Sequence, residues 1–214
     1  MTECVKPGID ERYLVAGNAT DLSVRTEQSG PVDLLIAAGW SQSRLGSAAL
    51  RLHSEWSAAA TPRRPDRELI DHIASKLPRR NGKLDRSAAQ AEAARWYAAE
   101  LGRIYAGLHS LVGVREQLVL QALRRGVESP ERLAAAVLHH WLDPVCPACH
   151  GRKYASVNGA AALSARPCPS CHGTGSTEPP GGQDGRWLLN YLDRCVAVAR
   201  GSIRKRLHAV PKMV

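Results

Sequence analysis

Cys146-Pro-Ala-Cys149-His150-Gly151, then a loop, then Cys168-Pro-Ser-Cys171-His172-Gly173-Thr174-Gly175: the rest of the chain is arranged around these two segments. Each Cys-x-x-Cys turn aims two sulfurs at one point, and two such turns a loop apart supply the four ligands of a tetrahedral zinc site. The glycines after each pair let the chain curl back so that N–H groups face the thiolates. The loop Val157–Pro167 carries the second pair round to the first. One structural zinc ion, held by Cys146, Cys149, Cys168 and Cys171, is the expectation. In small zinc peptides such closure contributes roughly 10–16 kcal/mol to folding, so the metal is expected to fold a region with little apolar content.

Three other uses of the cysteines compete. Cys-x-x-Cys-His is also the attachment motif of c-type haem, but that chemistry needs export and axial ligands. The N-terminal residues read as no signal peptide, and the only methionines are Met1 and Met213. A redox Cys-x-x-Cys sits at a helix start after a strand, which two glycine-flanked pairs fit poorly. Disulfides do not suit a chain expected in the cytoplasm. His150 and His172 each follow a cysteine already assigned and are read as solvent-facing or supporting, not as ligands.

The 214 residues carry a net charge of +9 and a pI near 9.6. An acidic partner is favoured, nucleic acid first, with solvated charge as the bland alternative. No stretch approaches the ~20 apolar residues of a membrane span. Cys195 lies on an apolar helical face and reads as buried.

The apolar periodicity predicts a mainly α protein: a bundle-like helical body, an inserted Cys4 zinc finger, and a C-terminal helix-turn-helix-like pair. Residues 1–30 lack periodicity and read as a flexible arm; the body spans 31–145, the finger 146–175 and the basic pair 183–214. Within the body, Gly39 breaks a first short helix and Ser41 caps a second. On the second, Trp40, Leu45, Ala49, Leu52 and Trp56 recur at helical spacing. The segment Ala37–Gly46 has the form of the turn and second helix of a helix-turn-helix, though an Ala-rich hairpin gives the same pattern. Leu69, Ile70, Ile73 and Leu77 mark a helix ended by Pro78. A long helix capped by Asp85 or Ser87 presents Ala93, Trp96, Tyr97, Leu101, Ile104, Tyr105 and Leu108 as a core stripe, broken at Gly113. Gly126 stops its continuation. Ser129 and Pro130 start a helix with a buried face of Leu133, Val137, Leu138, Trp141 and Leu142. Its His139 and His140 read as structural.

After a flexible Pro179–Gly182 break, Trp187 to Val196 mark a helix. Arg200-Gly201 is read as a turn, and Ser202 as the cap of a last helix with an inner face of Ile203, Leu207 and Val210. Such a unit reads DNA with its second helix, and the expected DNA contacts are Arg200, Ser202, Arg204, Lys205 and Arg206. A basic terminal helix without a ligand is the alternative. No phosphate loop, carboxylate pair or nucleophile constellation stands out, so an enzyme is not expected.

Two features make the chain resemble the late-gene antiterminator Q proteins of lambda-like bacteriophages. One is the finger, late in a roughly 200-residue helical chain. The other is Gly39-x-x-Gln42-Ser43-x-x-Gly46 in an Ala-rich helical start. The order of helices, finger and terminal helices agrees. Lys153 departs from the pattern, standing where the last glycine of the first unit is expected. DnaJ-type chaperones use similar Cys-x-x-Cys-x-Gly-x-Gly units, but four of them beside a His-Pro-Asp tripeptide that this chain lacks. The resemblance implies a transcription antitermination factor in the cytoplasm of a bacterial host. It would bind double-stranded DNA at a late promoter, load onto host RNA polymerase paused with its sigma factor, and carry it through pauses and terminators. A zinc-containing DNA-binding regulator of initiation and a DnaJ-like protein-binding zinc module are the alternatives.

Overall fold

The computed structural model describes residues 8–20, 30–62, 64–79, 84–156 and 163–209. In chain order the helices are α1 Ile9–Gly17, α2 Pro31–Gly39, α3 Arg44–Ala58, α4 Arg67–Lys76, α5 Arg86–Gly107, α6 Leu111–Arg124 and α7 Pro130–Leu142. Strands β1 Tyr154–Ser156 and β2 Leu163–Pro167 follow, then α8 Gly182–Ala209. The protein is therefore mainly α with a four-cysteine cluster between α7 and α8. The expected single body 31–145 divides in two: residues 59–109 form one compact unit, and 1–58 with 110–214 form the other.

In the larger unit α8 is the central element. It packs most extensively on α3, and also on α2, α7 and α6. Its buried stripe is Leu188, Leu192, Val196, Ala199 and Ile203, at steps of three and four residues that keep one face in register for the whole length. Facing elements contribute Leu34 and Ala38, Leu45, Ala49 and Leu52, Leu118, Val137 and Leu138, all buried. Glu55 of α3 anchors the start of α6, accepting from Ser110 N–H at 3.0 Å and from Ser110 Oγ at 2.9 Å. A carboxylate there satisfies orphan N–H groups and complements the helix dipole.

The structure corrects the expected C-terminal helix-turn-helix. Helix α8 runs unbroken through Arg200, Gly201 and Ser202, and Ser202 caps nothing. Glycine inside a helix costs only about 1 kcal/mol relative to alanine, less than the gain from keeping Ala199 and Ile203 buried in one register. A Cβ at Gly201 would meet nothing within 4 Å. Gly201→Ala is therefore expected to stabilise the protein by about 1 kcal/mol. A loss of stability in urea denaturation would mean that a turn exists there after all.

The expected loose arm is also corrected, for α1 lies within it. Gly8 N–H donates to Glu11 Oε2 at 3.0 Å to start the helix. Tyr13 and Ala16, one turn apart, are buried where α1 packs on α2 and α3. Helix α3 is capped by Ser43 instead of Ser41, because Gly46 N–H donates to Ser43 Oγ at 3.0 Å, while Ser41 Oγ accepts from Ser43 N–H at 3.2 Å. The break expected at Gly113 falls instead between Gly107 and Leu111, and Gly113 lies inside α6. The Pro179–Gly182 break is a tight turn with left-handed Gly181 and Gly182. A Cβ at Gly181 would stand 2.2 Å from Leu133 Cδ1.

The smaller unit is the α4–α5 hairpin. Its helices meet through small residues, with Ala74, Ala89 and Ala93 wholly buried, and Arg86 Nε reaches Asp71 Oδ1 at 2.8 Å. Asp66 and Asp85 cap α4 and α5 by accepting from Leu69 and Ala88 N–H. Trp96, expected in the core stripe, is instead 49% exposed, because these alanines make the close contact.

Candidate metal centre and basic helix end

The finger is built twice. Cys149 and Cys171 stand 22 residues apart, and a shift of that size superimposes almost every feature of the first turn on the second. Arg152 N–H donates to Cys149 O and Thr174 N–H to Cys171 O, each at 2.9 Å. His150 and His172 have φ of 49° and 50°, and Gly151 and Gly173 have φ of 79° and 84°. Lys153 and Gly175 follow, at 70° and 83°.

The two halves then lock to each other. Cys168 N–H donates to Lys153 O at 2.8 Å, and Cys146 N–H donates to Gly175 O at 2.9 Å. Tyr154 pairs with Pro167, and Val145 with Ser176. The second half of the expected loop, Leu163–Pro167, is thus strand β2, antiparallel to β1; residues 157–162 lie outside the described ones. Thr177 ties the finger to the end of α7. Its N–H donates to Pro144 O at 2.8 Å, and its Oγ1 lies 3.1 Å from His140 Nδ1. His140 is thereby structural, as expected, and burial together with the neighbouring His139 lowers its pKa.

All four sulfurs lie within 4.8 Å of one another and are buried. Cys149 Sγ and Cys171 Sγ are 3.7 Å apart. A tetrahedron of Zn–S bonds of about 2.3 Å sets its sulfurs roughly 3.8 Å apart, so the residues present fit one such ion. Held there, the ion supplies no reactive position: four protein ligands close a structural site. Burial pushes the Cys149 thiol up to about 11, against the N–H of Lys153, with the neighbouring thiols adding to the rise. At Cys171 burial acts the same way, but the N–H of Gly175, the Cys149 thiol and the N–H of Gly173 outweigh it and bring the group to about 6. The Gly175 N–H to Cys171 Sγ distance of 3.3 Å shows how the glycine turn favours a thiolate.

Lys153 stands in a conformation that suits glycine, and a non-glycine residue there stores about 1–2 kcal/mol. Lys153→Gly is expected to strengthen the finger by about 1 kcal/mol, read as slower metal loss to a chelator. Gly175→Ala at the equivalent place is expected to weaken it, since its Cβ would come 2.9 Å from Gly151 O. Equal chelator rates for the two variants would refute the internal equivalence.

The residues expected to read DNA do not share one face. On a continuous helix with 3.6 residues per turn, Ser202, Lys205 and Arg206 fall on one side and Arg200 and Arg204 on another. Arg200 borders a small recess with Tyr13, His53 and Trp141. Ser202, Lys205 and Arg206 line an open groove of about 520 Å3 with Val198, Gly201 and Gln42 of the α2–α3 turn. Arg206 stands over the ring of Trp40, 5.9 Å from its centroid, and Trp40 is 66% exposed. Sequence reasoning placed Trp40 on the inner face of α3 and named Gln42 only within the Gly39–Gly46 pattern, with no contact assigned to it. Both belong to the turn before α3, where helical spacing carries no information about direction. Val210 lies outside the described residues.

The class defined by this fold and site is a mainly helical protein with a buried four-cysteine cluster, able to hold one metal ion, set between two helices, the second ending in a basic segment. No protein-family model, curated protein or solved structure matches the chain. Among the described residues, no helix is long and apolar enough to cross a membrane.

Proposed function

We propose that the protein is a zinc-containing, DNA-binding transcription antitermination factor of a bacteriophage. It binds an element of a late promoter, joins sigma-containing host RNA polymerase at a pause, and promotes read-through. The observation that carries the nucleic-acid reading is the basic end of α8. Arg204, Lys205 and Arg206 are exposed in succession, and Lys205 and Arg206 line a groove that has no acidic residue among the described residues lining it. The closed cysteine centre supports a scaffold role for the metal. The antitermination step rests on the resemblance of the finger and of Gly39–Gly46 to the Q proteins.

The test is transcription in vitro across an intrinsic terminator, with and without the protein, from the late promoter nearest this gene and from an unrelated promoter. Promoter-dependent read-through is expected. DNA binding without read-through would leave a regulator of initiation. Binding of unfolded protein, with no DNA binding, would leave a DnaJ-like module. For the DNA contact, replacing Arg204 and Lys205 by Ala should reduce the slope of log K against log salt by about 1 to 2. An unchanged slope would move the phosphate contacts off this helix end.

A further inference from the structure

We propose that the groove between the end of α8 and the α2–α3 turn holds one unpaired nucleotide of a single nucleic-acid strand. Its phosphate would lie on Lys205 and Arg206, its base over Trp40, and Gln42 and Ser202 would meet the base edge or the sugar. This deepens the nucleic-acid reading above and rests on it.

Shape argues against a duplex entering the groove itself, as distinct from a duplex backbone lying along the exposed basic side chains. A recognition helix enters a major groove about 12 Å wide as a whole cylinder about 10–12 Å across. Helix α8 does not project in that way: Ala199 and Ile203 are buried on its inner side, and α2 and α3 pack along it. Lys205 and Arg206 instead border a recess whose other wall is Gln42. A concave site of about 520 Å3 lies within the ~300–1,000 Å3 of small-molecule sites and accepts a group that protrudes from a strand.

The chemistry of the lining matches a nucleotide. Lys205 and Arg206 supply positive charge, and no ion pair to either forms among the described residues. Val198 and Gly201 make an apolar, low-walled floor on α8. Gln42 offers an amide that both donates and accepts, and Ser202 a hydroxyl. Trp40 stands beside this lining, its ring facing Arg206, with two thirds of its surface open, and stacking on such a ring is the sequence-tolerant way proteins hold single strands. Arg206 sits at the outer limit of a cation–π contact, so it holds the ring loosely and is able to swing to a phosphate.

The experiment is fluorescence anisotropy with the full zinc-loaded chain and three labelled 12-nucleotide probes of one sequence: single-stranded DNA, single-stranded RNA and duplex DNA. Trp40→Ala is expected to weaken single-strand binding roughly 5- to 150-fold. It should leave the salt slope and the duplex affinity within twofold of the original. Trp40→Phe, which keeps a ring, should restore most of the loss. Lys205→Ala should lower the single-strand salt slope by about 1. Trp40 is largely exposed, so its truncation leaves the helical circular dichroism intact, which is checked on the same samples. Preference for the DNA strand would assign the groove to promoter DNA, preference for RNA to the transcript, and equal affinity to the shared nucleotide chemistry; each supports the site. Unchanged single-strand affinity in Trp40→Ala, with duplex binding intact, overturns the groove alone. Failure of the original protein to bind any probe overturns the nucleic-acid reading as well.

Discussion

Cys146→Ser is expected to abolish metal binding and to unfold residues 146–176 while the helices persist. A serine hydroxyl at neutral pH is a far poorer zinc ligand than a thiolate, and three remaining sulfurs leave an open, exchangeable position. The finger has little else to hold it. Its buried core is the cysteines themselves, and its sheet is two short strands with an irregular register. Most of the roughly 10–16 kcal/mol that such sites contribute is therefore lost at once. The helices lose much less, because α8 is held by its buried stripe against α3 and α2, and this packing does not pass through the finger. Metal content should fall from one ion per chain to none, and limited proteolysis should cut between α7 and α8. Far-ultraviolet circular dichroism should change little. Cys195→Ser is the control: Cys195 is outside the cluster and the variant should keep its metal. Retained metal and protease resistance in Cys146→Ser would refute a four-thiolate site.

What the sequence made legible follows from how local each signal is. The four-cysteine cluster was readable because four cysteines in two short turns, a loop apart, leave few other arrangements. Even its internal repeat is visible in the aligned Cys-Pro-x-Cys-His-Gly segments. The sheet was not, because Leu163-Ser-Ala-Arg-Pro167 carries no strong alternation and becomes a strand only by pairing with β1. The continuity of α8 was legible in principle. The steps from Val196 to Ala199 to Ile203 fit one helix, although a glycine followed by a serine is also the local signature of a turn and cap. Helix α1 was missed because one turn of amphipathicity, Tyr13 and Ala16, is too short to stand out. The direction of Trp40 and the partner of Gly46 were beyond reach, since both are fixed by α8, more than a hundred residues away.

Gly46→Ala is expected to be strongly destabilising, although it adds a single methyl group. Helices α3 and α8 cross so closely that a Cβ at Gly46 would lie 1.9 Å from Cys195 O and 2.5 Å from Cys195 C. Both are backbone atoms of α8, so no rotamer change relieves the overlap, and the helices have to move apart. That separation loosens Leu45 and Ala49 on one side and Leu192 and Val196 on the other, all now buried. Overpacking typically costs about 1–3 kcal/mol and more where backbone must shift, while alanine returns about 1 kcal/mol as the better helix former. Gly46→Ala is therefore expected to destabilise by about 2–3 kcal/mol. The melting temperature should fall by roughly 4–12 °C in a chain of this length. Gly113→Ala in α6, where a Cβ meets nothing within 4 Å, makes the same chemical change and should raise stability slightly. Opposite signs at the two glycines would locate the tight crossing at α3 and α8. Equal effects would mean that the helices do not approach so closely, and the groove at the end of α8, which depends on the same two elements, would lose its shape with them.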